Sequence, residues 1–273
     1  MELDNVEFKK NEAWEAGLPD HKLLAAEGAV QYFKKEFPDL KHAFLKNLRS
    51  VVCMDEGCAH KDINGEAKFC IAGSGILYPA ANEEARIKAA AELFARLGAV
   101  DITSHGGCGA AGLAFKRDFP DSNPTAEQIE DYAKDWAKKV AAEMGRLGHE
   151  ESYTHILAGD MERPVEFHTA RVVYYDNVGG FNPNKEVGLP MGFVIERKFE
   201  TPEYALEELQ VAANIAFGHH GFGDRFTKDF PFVIVVFAEN EAELENVKKE
   251  AETILNQNKY FQEGKIRIDG MSI

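Results

Sequence analysis

The sequence predicts an α/β protein: a central, mostly parallel sheet flanked by helices, with a helical N-terminal arm and an α/β C-terminal extension. Three observations carry that expectation. Continuous apolar runs at Val51-Val52-Cys53, Phe69-Cys70-Ile71-Ala72-Gly73 and Val100-Asp101-Ile102-Thr103 break off at small residues or turns, as strands covered on both faces do. Stretches with helical spacing and recognisable caps separate these runs. The 273 residues are 45% hydrophobic and 11% aromatic, enough for a substantial packed core.

Each element follows from local chemistry. Residues 1–45 are charged and rich in helix formers. Asp20 after Pro19 is the expected cap of an amphipathic helix, with Leu23, Leu24, Val30, Phe33 and Phe37 on its apolar face. After the first two strands, Asn82 caps a helix that buries Ala90, Leu93, Phe94 and Leu97 and stops at Gly98. The strand over 100–103 leads to a helix from Thr125, whose spacing to Gln128 is that of a capping box. Its buried stripe is Ile129, Tyr132, Ala133, Trp136, Val140 and Met144.

Strands are then expected over 153–158 and 165–175, and the glycine- and proline-rich stretch Asn177–Pro190 marks the best internal boundary. Beyond it come a strand near 192–199, a helix opened by Thr201-Pro202, a strand over 231–238, a helix capped by Asn240 and a closing strand at 265–268. The expected organisation is an arm (1–45), a middle domain (46–176) and an extension (177–273), the last either separate from the middle domain or continuous with it. No internal repeat is visible.

Composition narrows the function. Thirty-one Lys and Arg against 46 Asp and Glu give a net charge of −15, a poor field for gripping phosphate backbones or anionic lipid. Neither nucleic acid nor membrane is an expected partner. No apolar run approaches the roughly 18 residues of a spanning helix. The opening Met1-Glu2-Leu3-Asp4-Asn5 lacks the basic-then-apolar order of a signal peptide, so a cytoplasmic location is expected. Four cysteines are too few to staple a chain of this length, which points to thiol or metal chemistry.

That chemistry concentrates in two stretches, Cys53-Met54-Asp55-Glu56-Gly57-Cys58-Ala59-His60 and His105-Gly106-Gly107-Cys108-Gly109. Each begins where an apolar run stops, at the carboxyl end of a strand, where open α/β sheets place their ligands. Two thiolates and an imidazole, Cys53, Cys108 and His105, make a donor set suited to Zn2+ with one position left open. Cys70 reads as a core residue. Cys58 and His60 could offer alternative ligands but rank behind the glycine-hinged His105-x2-Cys108. Gly107-x-Gly109-x-x-Gly112 matches a dinucleotide fingerprint, yet Pro120 and Asn123-Pro124 interrupt before any crossover helix could form. His219-His220 reads as a solvated loop, with a second metal or proton-shuttle site as its alternative. His168 and Arg171 receive no role.

Cys53-x-Asp55 followed by His105-x-x-Cys108-Gly109 resembles the zinc signature of the β-class carbonic anhydrases, over roughly residues 45–176. The resemblance implies that Cys53, His105 and Cys108 bind zinc and that Asp55 is catalytic, either accepting a hydrogen bond from zinc-bound water or taking the fourth position itself. It also implies that the arm packs on a partner subunit in a homodimer or higher homo-oligomer. One departure is clear: the family reads Cys-x-Asp-x-Arg, and Gly57 stands where the arginine would be. Asp55 is then expected to be drawn to the metal, giving a closed or weak enzyme unless Lys61, Arg86 or another base replaces the arginine.

The expected activity is hydration of carbon dioxide to bicarbonate, with the Gly109 and Ala110 amides as anion contacts. A related small-molecule hydrolase acting on carbonyl sulfide or carbon disulfide, and a non-catalytic zinc-bound regulatory or assembly protein, are the alternatives.

Overall fold

The computed structural model describes residues 2–63 and 65–273, with side chains from Asn5 onward. In chain order its elements are α1 (Glu2–Glu27), α2 (Ala29–Glu36), β1 (Leu48–Val52), α3 (Glu56–Ala59), β2 (Ala67–Cys70), α4 (Glu83–Arg96), β3 (Asp101–His105), α5 (Gly109–Asp118), α6 (Ala126–Arg146) and β4 (Ser152–Ile156). They continue with β5 (Val172–Asp176), β6 (Gly192–Ile195), α7 (Pro202–Phe217), β7 (Phe232–Ala238), α8 (Glu241–Leu255), α9 (Lys259–Gln262) and β8 (Ile266–Ser272). The expected α/β class and parallel strands are present, as two sheets in two compact units, one of residues 45–162 and one of residues 1–44 with 163–273.

In the unit 45–162 the strands run β2-β1-β3-β4, all parallel. Val51, Val52, Phe69 and Ile102 are fully buried, which explains the unbroken apolar runs. The helix caps form as their residues predict: Asn82 Oδ1 accepts the Ala85 N–H at 2.9 Å, and Thr125 and Gln128 complete a reciprocal capping box. Helix α6 packs along β3 and β4 and against α4 and α5. Helix α5 ends at Asp118, just before Pro120, and makes no dinucleotide crossover.

The other unit carries the strands β6-β5-β7-β8, again all parallel. All seven residues of β7 are buried, and α2 brings Phe33 to 5.9 Å from Phe237 and 6.4 Å from Tyr174 between ring centroids. Helix α1 runs through Pro19 instead of starting at Asp20, and the chain breaks at Gly28, with φ 79°. Pro19 has no N–H for the Glu15 carbonyl. The turn before it is bonded from outside, by Arg171 Nη2 to the carbonyls of Ala13 and Trp14. Helix α1 packs on α2, and α2 packs on β8 of the same chain.

Two differences from the sequence reading follow from pairing. Strand β5 is bonded to β6 on one side and β7 on the other, so it is an inner strand of the second sheet. The break between units therefore lies at Glu162/Arg163 and not after Asp176. The glycine-rich 177–190 stretch is an internal loop held by carboxylates: Asp176 accepts the N–H groups of Val178, Gly179 and Phe181 at 2.8–3.0 Å, and Glu196 accepts that of Gly180 at 2.9 Å. Second, the two sheets share one strand order, so a topology repeats although no sequence repeat is visible.

Candidate metal centre

Strands β1 and β3 are the inner pair of their sheet, and the connections leave them in opposite directions, to β2 and to β4. That is a topological switch point, where the strand ends open a crevice. Cys53 follows the last residue of β1, His105 is the last residue of β3, and Cys108 is the N-cap of α5. Their ligand atoms all lie within 4.8 Å of one another, and each residue is at most 4% exposed. The three groups are close enough to hold one metal ion.

The surroundings fit a cation bound by thiolates. The Gly73 N–H donates to Cys53 Sγ at 3.2 Å, and the N–H groups of Ala110 and Ala111, at the positive end of α5, point at Cys108. His105 Nδ1 lies 3.0 Å from the Gly106 carbonyl, which can only accept, so Nδ1 carries a proton. Nε2 is then the atom that faces the sulfurs, and it is buried without a hydrogen-bond partner. A buried ring nitrogen facing two sulfurs with no hydrogen-bond partner is a donor that a metal ion would satisfy.

The three side chains shift one another's proton affinities. Cys108 is lowered, first by its hydrogen bond with Cys53 and then by the N–H groups of Ala111 and Ala110, against the pull of burial. Cys53 is raised by the same bond and by burial. Burial weighs against a charged His105, but Cys53 and Asp55 together outweigh it and raise the imidazole to about 9.

Two glycines shape the site. Gly107, φ 70°, makes the left-handed turn between His105 and Cys108. Gly73, φ 54°, passes so close that a Cβ there would sit 2.9 Å from the Ala110 Cβ and 3.5 Å from Cys108 Sγ. No family model, curated protein or solved structure matches this chain. The chemistry of the site rests on its own geometry.

The sequence-expected residues divide cleanly. Cys58 donates to Met161 Sδ at 3.9 Å and Cys70 is fully buried on β2, so neither joins the cluster. Asp55 caps α3, and its Oδ1 accepts the Gly57 N–H at 2.8 Å. It stands outside the group of mutually close ligand atoms, though near enough to act electrostatically on His105 and Cys108. Position 57 thus contributes to Asp55 through its backbone. Neither Lys61 nor Arg86 takes the arginine's place: Lys61 Nζ donates to the Asp160 carbonyl at 2.8 Å, and Arg86 pairs with Asp118 at 3.2 Å.

The expected anion contact at Ala110 is corrected, because that N–H is directed at Cys108. Gly73 is a site residue that the sequence reading missed; its only sequence signal is its place at the end of an apolar run. His219 and His220 lie with ring centroids 3.9 Å apart and belong to no group of three able to hold a metal among the described residues. Among those residues, no helix is long and apolar enough to cross a membrane.

Proposed function

We propose that the unit 45–162 is a zinc-dependent hydratase that converts carbon dioxide to bicarbonate. The convergence of Cys53 Sγ, His105 Nε2 and Cys108 Sγ, with Asp55 close by and outside their group, carries this reading. Two sulfurs and one imidazole favour zinc over hard cations such as magnesium or calcium, and three protein ligands leave a tetrahedral position for a reacting molecule. Zinc bound in such a site lowers the pKa of coordinated water toward about 7 and so supplies a nucleophile at neutral pH.

The chain's own residues supply orientation. Backbone N–H groups on the two sulfurs fix their direction and spread their negative charge. The Gly106 carbonyl holds the His105 ring through Nδ1. Asp55, with Oδ1 anchored on the Gly57 N–H, accepts a hydrogen bond from the attacking water and aims its lone pair at the carbon. Bicarbonate then leaves and a proton passes to bulk water.

Stopped-flow hydration of carbon dioxide by zinc-loaded protein, with Cys108→Ser and Asp55→Asn alongside, tests the reading. Hydration that depends on both residues supports it. Stoichiometric zinc without hydration, with turnover of carbonyl sulfide or carbon disulfide instead, moves the protein to a related hydrolase. Zinc without turnover of any of the three leaves a regulatory or assembly role. In its assembled form this chain is proposed to be a homodimer or larger homo-oligomer.

A further inference from the structure

Ser104 precedes His105 on β3, and consecutive side chains on an extended strand leave opposite faces. On β4, His155 is the register partner of Ser104. Ser104 Oγ lies 2.8 Å from His155 Nδ1, and His155 Nε2 lies 3.1 Å from Glu130 Oε1 on α6. Tyr153 OH lies 3.0 Å from the same Oγ. Lys134 Nζ is 2.7 Å from Glu130 Oε1 and holds this carboxyl below its usual range, against burial and with help from His155.

The direction of the chain is set by its end. An ionised Glu130 can only accept, so Nε2 carries the imidazole proton and Nδ1 presents a lone pair. Ser104 therefore donates its O–H to Nδ1, and Tyr153 donates to Ser104 Oγ. Burial and then Lys134 keep His155 below its ordinary range, with Glu130 opposing, so the ring is neutral and basic at neutral pH.

We propose that Ser104, His155 and Glu130 form a second, metal-independent catalytic site that hydrolyses small carboxylic esters by acyl transfer. Ser104 Oγ attacks the ester carbonyl carbon while its proton passes to His155 Nδ1. The bond to the alcohol oxygen breaks and the alcohol takes that proton, leaving an acyl group on Ser104. Water, deprotonated by Nδ1, then cleaves the acyl–serine ester, the free acid departs and the proton returns to Oγ. Glu130 steadies the imidazolium that forms in each half, and the Tyr153 O–H is placed to turn toward the carbonyl oxygen as charge develops there. Strand β4 is the outer strand of its sheet, with Tyr153 and His155 half-buried and Thr154 exposed. Ser104, beside them on β3, is 5% exposed, which limits the substrate to a small acyl group.

The test uses zinc-loaded full-length protein, with and without chelator, a fluorophosphonate probe and p-nitrophenyl acetate. The expected result is one phosphonyl adduct per chain on Ser104, located by mass spectrometry, and hydrolysis of p-nitrophenyl acetate that persists with chelator. Ser104→Ala and His155→Gln should lower hydrolysis about 100-fold or more, the usual size of a general-base contribution. Glu130→Gln, on the helix surface, should fold normally, slow labelling roughly 10-fold and shift the pH profile for labelling toward acid, because the imidazole loses its anionic partner. No adduct, an adduct elsewhere, or unchanged hydrolysis in folded Ser104→Ala overturns the proposal and reduces the cluster to a hydrogen-bond chain tying β4 to α6. Carbon dioxide hydration is a separate assay with separate variants, so either reading can fail alone.

Discussion

Arg171 lays its guanidinium 4.4 Å from the ring centroid of Trp14 while its Nη2 donates to the Trp14 carbonyl, so one buried side chain grips α1 by ring and backbone at once. Its Nη1 donates to His21 Nδ1 at 3.2 Å, and His21 Nε2 donates to the Pro231 carbonyl at 2.7 Å. Arg171→Lys, which loses the planar fork and the stack, is expected to cost about 1–3 kcal/mol. Gly17→Ala should destabilise as well, because its Cβ would fall 2.5 Å from Arg171 Nε. Denaturant midpoints and the rate of proteolysis within α1 measure both; unchanged values would show that α1 is anchored elsewhere.

Metal content distinguishes ligand from bystander. Wild-type protein and Cys70→Ser should each hold one zinc per chain, the latter at a packing cost of about 1–2 kcal/mol. Cys53→Ser, His105→Asn and Cys108→Ser should each lose tight binding. Stoichiometric zinc in Cys108→Ser removes that residue from the ligand set.

Gly73→Ala tests the close approach beside the sulfurs. The added Cβ meets Ala110 and Ile76 and must adopt a positive φ, so the loop should shift and take the Gly73 N–H away from Cys53. Zinc affinity is expected to fall about 10- to 100-fold, the usual range for losing a partner of a metal ligand. A competition titration with a chromogenic chelator reads it.

Asp55→Asn keeps an oxygen for the Gly57 N–H but removes the charge. Zinc content should be unchanged while hydration drops about 100-fold or more. Full activity in this variant would show that Asp55 does not orient the nucleophile.

The unit holding the second sheet should weaken as pH rises. Glu196 and Glu200 are raised well above the usual carboxyl range, by burial first, then by Asp176 for Glu196 and by Glu208 for Glu200; Asp176 is raised to about 6 by burial against its three N–H donors. A carboxyl whose folded pKa exceeds its unfolded one contributes fully below the unfolded value, and that contribution is lost as pH climbs through the folded one. Denaturation midpoints of this unit should therefore fall as pH climbs from the ordinary carboxyl range through the Asp176 value of about 6 and beyond, and Glu200→Gln should flatten the decline. A midpoint that rises over this range in the wild type refutes the assignment.

The features legible in the order of amino acids are local ones. Asn82, Thr125, Thr201 and Asn240 act within four residues of themselves, and all four cap the helices their spacing announces. Cys53, His105 and Cys108 are legible because apolar runs stopping at reactive residues mark strand ends, and parallel strands bring such ends to one edge. Tertiary pairing decides the rest. Which sheet β5 joins, that Arg171 binds the Ala13 and Trp14 carbonyls one turn before Pro19, and that Ser104 meets His155 across a strand register are set by contacts some 50 to 160 residues apart. Those contacts exist only after the chain has closed long loops, and no local pattern of residues records which closure is the stable one.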